Sequence, residues 1–159
     1  MDKFKSLVIL ALFLIAVQPS FADDGLKILG IWKMVSIDLE VQATGDRIPF
    51  ILGMNPAGYV IYTSEGRMMT IATREGRKPP ITTQDRAKLF DSMNAFTGTY
   101  RLEGDKCIIK VDVASSPAQA GERVIFIRFD DDRFYATSDW MPGAGGQMGR
   151  TIITWERVK

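Results

Sequence analysis

Hydrophobic and polar positions along this chain repeat with a period of two far more often than with a helical period. Cys107, Ile109, Val111 and Val113 alternate with Lys106, Ile108, Lys110 and Asp112. One face is apolar and the other largely polar, which is the signature of a half-buried antiparallel strand. Residues 59–63 are aromatic and β-branched, Ser64-Glu65-Gly66 supplies a turn, and residues 67–73 resume the extended pattern; together they predict a hairpin. A second hairpin is predicted from residues 96–103 and 106–113 around Gly104-Asp105. Further strands are predicted at residues 31–38, 122–130, 133–138 and 151–158, with the acidic turn Asp130-Asp131-Asp132 between the second and third of these. In the first strand Trp32, Met34 and Ser36 share one face, and Ile31, Lys33, Val35 and Ile37 the other.

The connections read as loops: residues 42–47, the Pro-rich and charged stretch 74–80, residues 114–121 with Ser115-Ser116-Pro117, and the Gly-rich stretch 139–149. One helix is predicted over residues 82–95. Thr82 or Thr83 can cap it, Asp85 suits its positive end, and Ala87, Phe90 and Met93 recur at helical spacing. It is expected to plug or cover a sheet. About eight strands and one helix predict an all-β fold, an antiparallel up-and-down barrel with one inserted helix. A barrel of that size can enclose one small ligand.

The N-terminus departs from this pattern. Lys3 and Lys5 precede an unbroken apolar run at residues 7–17, Pro19 ends it, and Ser20-Phe21-Ala22 places small residues at the −3 and −1 positions of a cleavage site. A run this short falls well below the ~20 residues that a spanning helix needs, so residues 1–22 read as a signal peptide. The expectation is an exported protein, periplasmic or secreted, with residues 23–159 as one domain and no membrane insertion after cleavage. Taking Lys3, Lys5 and Asp2 from the 20 basic and 19 acidic residues leaves the two signs equal, so nothing pulls the chain towards nucleic acid. The single cysteine, Cys107, allows no internal disulfide and reads as a small core residue. There is no histidine, which excludes Ser-His-Asp and Cys-His catalysis and His-ligated metal. No cofactor and no metal are expected, and the pattern leaves oligomeric state open.

Gly30-Ile31-Trp32-Lys33-Met34-Val35-Ser36 resembles the G-x-W start of lipocalins. With it stand Asn55-Pro56-Ala57-Gly58-Tyr59-Val60-Ile61-Tyr62-Thr63, Gly66-Arg67-Met68-Met69, Ala95-Phe96-Thr97-Gly98-Thr99-Tyr100, Val111-Asp112-Val113, Gly121, Arg128 and the closing Trp155-Glu156-Arg157. This ordered set resembles the bacterial and fungal lipocalin-like domain family across essentially all of residues 23–159. The resemblance implies a small barrel, and an arginine of the last strand lying over the early tryptophan to close the barrel base. Ile153, Trp155 and Arg157 share a face of the last strand, so Trp32 and Arg157 are the pair it designates. The chain departs from the family pattern around Val111 to Gly121. Family members often carry histidine and tryptophan there, whereas this chain has Lys110 and Ala114-Ser115-Ser116-Pro117-Ala118.

The candidate ligand-binding residues are Arg128, Tyr62, Tyr100, Tyr135, Met34 and Phe126. Arg128 shares a face with Val124 and Phe126; if that face is interior, its guanidinium needs an anion, from a ligand or from a neighbour such as Asp112 or Glu122. The tyrosines can point a hydroxyl into a cavity or pack the sheet, and the methionines can adapt to an apolar ligand or fill the core. Gly143-Ala144-Gly145-Gly146-Gln147-Met148-Gly149 lacks the spacing of a nucleotide loop and precedes a strand, so it reads as a barrel-mouth loop. Two functions fit. One is a binder of a small, mainly apolar or amphipathic molecule in the barrel interior. The other is a metal-free enzyme of isomerase, cyclase or lyase type using Tyr, Asp and Arg.

Overall fold

Alternation along the strands and tight turns between them build one continuous sheet. The computed structural model describes residues 25–143 and 146–159, so the predicted signal peptide, together with Ala144 and Gly145 of the Gly-rich loop, lies outside the described residues. In chain order the elements are β1 (Gly30–Val41), β2 (Arg47–Pro49), β3 (Ala57–Tyr62), β4 (Arg67–Thr73), α1 (Thr83–Asp91), β5 (Met93–Glu103), β6 (Lys106–Ala114), β7 (Gly121–Asp130), β8 (Arg133–Ser138), β9 (Met141–Pro142) and β10 (Met148–Arg157). Every pairing is antiparallel, and β1 pairs with β10, so β1, β3–β8 and β10 close an eight-stranded barrel. The short β2 and β9 add to β1 and β10. Gly66 and Gly104 take positive φ angles of 75° and 62° in the β3–β4 and β5–β6 turns, where a side chain would strain the backbone. The predicted fold class holds.

Two β-bulges change which side chains face inward. The register of β1 on β10 slips between Met34 and Ser36, so Val35 is the extra residue and the facing of the strand reverses there. Ile37 joins Trp32 and Met34 in the core, although uniform alternation assigned it to the opposite face. A second slip between Thr97 and Gly98 passes over Asp112 on β6. Cys107, Ile109 and Val111 point inward as the alternation predicts. Val113, predicted to share their face, is instead turned outward and is 64% exposed.

The helix is shorter than its periodicity suggests. Thr82 caps it, with Asp85 N–H donating to Thr82 Oγ1 at 3.1 Å and Thr82 N–H donating to Asp85 Oδ2 at 3.0 Å. It ends at Asp91 because residues 93–95 pair with β4, Met93 opposite Thr73 and Ala95 opposite Ile71. The helix buries none of its side chains. It therefore sits outside, beside the β4–β5 connection, and does not plug the barrel. With no apolar face docked, nothing offsets the backbone hydrogen bonds that draw residues 93–95 into the sheet.

The core is contiguous and runs along the barrel axis, with Ile28, Trp32, Val60, Cys107, Ile109 and Phe134 all at 2% exposure or less. Met34 and Met68 belong to it, whereas Met54, Met69, Met141 and Met148 are exposed. The strands approach most closely at Gly98, where an added Cβ would stand 2.1 Å from the Lys110 carbonyl oxygen. Gly98→Ala is therefore expected to force β5 and β6 apart at the bulge and to destabilise the fold by about 2 kcal/mol or more. The urea-unfolding midpoint measures this; an unchanged midpoint would mean that the strands are not held this close.

Candidate functional site

The barrel interior has two chemically different ends. At the end where β1 starts and β10 finishes, aromatic rings fill the space. Trp32 meets Phe134 edge-on at 4.7 Å between centroids, Tyr62 meets Tyr100 edge-on at 4.9 Å, and Phe134 stacks on Trp155 at 6.0 Å. A helical turn at residues 25–27 crosses this end. Trp32 Nε1–H donates to the Ile28 carbonyl at 2.8 Å. Arg157 lies with its guanidinium carbon 4.1 Å above the Trp32 ring and donates to the carbonyls of Leu29 and Lys27. The cation thereby caps the base and supplies donors to a turn that has left the sheet, while Trp32 offers its π face. Met34, Tyr62 and Tyr100 all face inward at this packed end.

Burial sets the titration of these groups. Desolvation raises Tyr62 well above the ordinary tyrosine range and, with Cys107 and Glu65 adding, also raises Tyr100. Tyr100 Oη–H donates to the Thr63 carbonyl at 2.9 Å. The buried Cys107 thiol is pushed up to about 12 by burial alone. All three stay protonated at neutral pH, which suits packing and opposes use as a base or nucleophile.

The opposite end, the mouth, is built differently. Arg123 pairs with Ile109 across β6 and β7 and alternates in phase with Ile125 and Ile127, so its side chain turns inward. Its guanidinium carbon sits 4.7 Å from the Phe96 ring centroid, and Nη2–H donates to the Gln119 carbonyl. Among the described residues it has no carboxylate partner, and burial pushes its pKa down. Gln119 Nε2–H donates to Asn94 Oδ1, while Gln119 Oε1 is buried without a hydrogen-bond partner among the described residues. Phe50, Phe96, Ile125 and Ile153 pack on the core here and are partly buried. Beside it, an open groove of about 620 Å3 runs between residues 74–81 and α1. Two of its arginines are tied to backbone carbonyls, Arg74 to Ile51 and Arg77 to Leu89.

A third cluster lies on the outer wall. Arg128 pairs with Tyr135 and Phe126 with Thr137 across β7 and β8. These residues alternate out of phase with the inward Ile127, Phe129, Phe134 and Ala136. With Arg47, Asp105, Arg150 and Ile152 they line a concavity of about 400 Å3. Arg150 and Arg47 both bind Glu40, which is buried on the outer side of β1. The Arg150 hydrogen bond, opposed by burial and assisted by Arg47, holds the Glu40 carboxyl below the usual carboxylate range.

The lipocalin-like domain model matches residues 29–158. The chain belongs to the lipocalin-like domain family. No curated protein and no solved structure gives a significant match to it.

Within this lipocalin-like domain the six candidate ligand residues divide evenly. Met34, Tyr62 and Tyr100 are interior but sit in the packed base. Arg128, Tyr135 and Phe126 are corrected to the outer wall. Arg128 meets no interior anion; its guanidinium carbon lies 4.2 Å from the Tyr135 ring centroid, its nearest acidic partner is Asp130 at 3.8 Å, and its side chain is 65% exposed. Neither Asp112, which pairs with Arg67, nor Glu122, which pairs with Arg101, is its partner. Residues 122–129 are apolar on both faces, so alternation alone cannot say which face turns inward. That ambiguity concealed Arg123, five positions earlier and on the opposite face. Among the described residues no three acidic or thiol groups converge as metal ligands, and no helix is long and apolar enough to cross a membrane.

The Glu40 geometry sets a pH dependence. Its folded pKa lies below its unfolded value, so the stabilisation it confers is present above the unfolded pKa, about 4.3, and is lost as pH falls through the lower folded value. Glu40→Gln is expected to lower the urea midpoint at pH 7. The gap between variant and wild type should narrow below about pH 4. A gap that stays constant from pH 7 to pH 3 would show that the Glu40 charge contributes nothing.

Proposed function

We propose that this lipocalin-like domain is an exported binder of a small amphipathic molecule, whose apolar body occupies the mouth half of the barrel and whose anionic group meets Arg123. The observation that carries this reading is the inward Arg123, without a carboxylate partner among the described residues, at the end of the interior opposite the aromatic base. A cation drawn towards an apolar wall is costly unless an anion joins it. Phe96 and the Gln119 carbonyl stabilise it only in part. The unpartnered Gln119 Oε1 beside it offers an acceptor to a ligand hydroxyl. Partly buried Phe96, Ile125 and Ile153 suit the apolar body. Family membership and the closed barrel support a binding role. The enzyme reading gains no such support, because Tyr62 and Tyr100 are held protonated in the packed base. The formal charge of +1 gives no reason to add a nucleic-acid partner.

Titration of refolded, delipidated protein with fatty, isoprenoid and aromatic acids, each beside its matching alcohol, tests the site. At least one acid is expected to bind, Arg123→Gln to weaken it about tenfold or more, and the alcohol to change little. Arg123→Lys should recover part of the loss. Failure of every acid, or equal loss for acid and alcohol, would overturn the assignment. Export rests on residues 1–22; protein from its native source is expected to have an intact mass that begins at Asp23, and a mass retaining the leader would refute it.

A further inference from the structure

We propose that the outer wall carries a second binding site, for a singly charged anion joined to a flat apolar body, in the concavity between Arg47, Arg128 and Arg150. It shares no residue with the mouth and does not depend on the reading given for it.

Glu40 carries one negative charge, yet two guanidiniums, Arg47 and Arg150, both bind it. Arg128 adds a third guanidinium to the same concavity and has only the distant, exposed Asp130 as a partner. Glu40, Asp105 and the exposed Asp130 offset the three guanidinium charges, so an added anion would meet their free donors rather than a surplus of charge. The donors are also unspent. Arg47 uses Nε and Nη2 on Glu40 and Arg150 uses Nε, so Arg47 Nη1 and both terminal nitrogens of Arg150 make no hydrogen bond among the described residues. Neither do the nitrogens of Arg128.

Two of the three guanidiniums are held flat against rings, Arg128 4.2 Å from Tyr135 and Arg150 4.5 Å from Trp140, which limits the side-chain freedom a ligand would otherwise have to remove. The floor is apolar. Ile152 faces outward with Thr137 and Tyr135 and is only 4% exposed, covered by the side chains around it. Phe126 and the Tyr135 ring border it, and the volume of about 400 Å3 is in the range of small-molecule sites. Asp105 lies on the same lining and repels a second negative charge, so a monoanion is favoured over a polyanion such as a phosphate chain.

NMR titration of the 15N-labelled protein tests this with three probes: naphthalene-2-sulfonate, naphthalene-2-methanol and inorganic phosphate. The sulfonate is expected to shift the amides of Phe126, Arg128, Tyr135, Thr137 and Ile152 saturably, and to bind about tenfold more tightly than the alcohol. Arg128→Gln, an exposed substitution compatible with folding, should weaken the sulfonate about tenfold, while Arg123→Gln leaves it unchanged. Tyr135→Leu should weaken the sulfonate and leave the weak phosphate response as it was. The proposal is overturned if these amides do not move, if the alcohol binds equally, if phosphate binds more tightly than the sulfonate, or if Arg123→Gln rather than Arg128→Gln removes binding.

Discussion

Closure of β1 against β10 governs everything else in this domain. Nine residues of β1, from Trp32 to Val41, have partners on β10. That seam converts a strip of alternating sequence into a surface with an inside and an outside. Once it forms, each strand residue is committed to one of two environments, and the commitment passes from strand to strand through register. Trp32 faces Arg157 on one side and Val60 on the other; Trp155 faces Phe134; Phe134 faces Phe129. The aromatic base is the chain of those pairings. Arg157 can lie over Trp32 only because the seam places them opposite each other.

The two bulges are where closure and alternation are reconciled. Without the extra residue at Val35, the second half of β1 would turn Ile37 to solvent and Asp38 inward. Without the slip at Asp112, Val113 would share the interior row with Ile109 and Val111, and Ala114 would turn away from the core. A bulge costs little in a twisted antiparallel pair and increases its coiling, which a small barrel needs in any case. Asp112 pairs with Arg67 on the outside.

Charge is distributed by the same geometry. Among the described residues the interior carries one guanidinium, Arg123, at the mouth, where desolvation is partial and an aromatic face is at hand. At the aromatic base Arg157 is spent on backbone carbonyls and an indole. On the outer wall a buried carboxylate, Glu40, holds two arginines in place beside a third. Hydroxyls and the thiol inside the base remain protonated because burial opposes their charged forms. The domain therefore keeps its polar chemistry at the mouth and on the outer wall, and uses the base for packing.

The strands and the hairpin turns were legible in the sequence, because period-two alternation and Ser64-Glu65-Gly66 or Gly104-Asp105 act locally. The sequence also determined the inward set of β6 as far as Val111, and it marked Trp32 and Arg157 through resemblance to a family whose barrel requires them. It could not choose a face for residues 122–129, where Val124, Phe126, Ile125, Ile127 and Phe129 make both sides apolar. Only pairing with Ile109 on one side and Ala136 on the other turned Arg123 inward and Arg128 out. Nor could it stop the helix at Asp91, since the spacing of Phe90 and Met93 reads as helical until β4 offers residues 93–95 a partner. Local chemistry fixes which backbone conformation a segment prefers. Which side of the wall a side chain occupies is decided by register between strands distant in sequence, and that exists only once the barrel is shut.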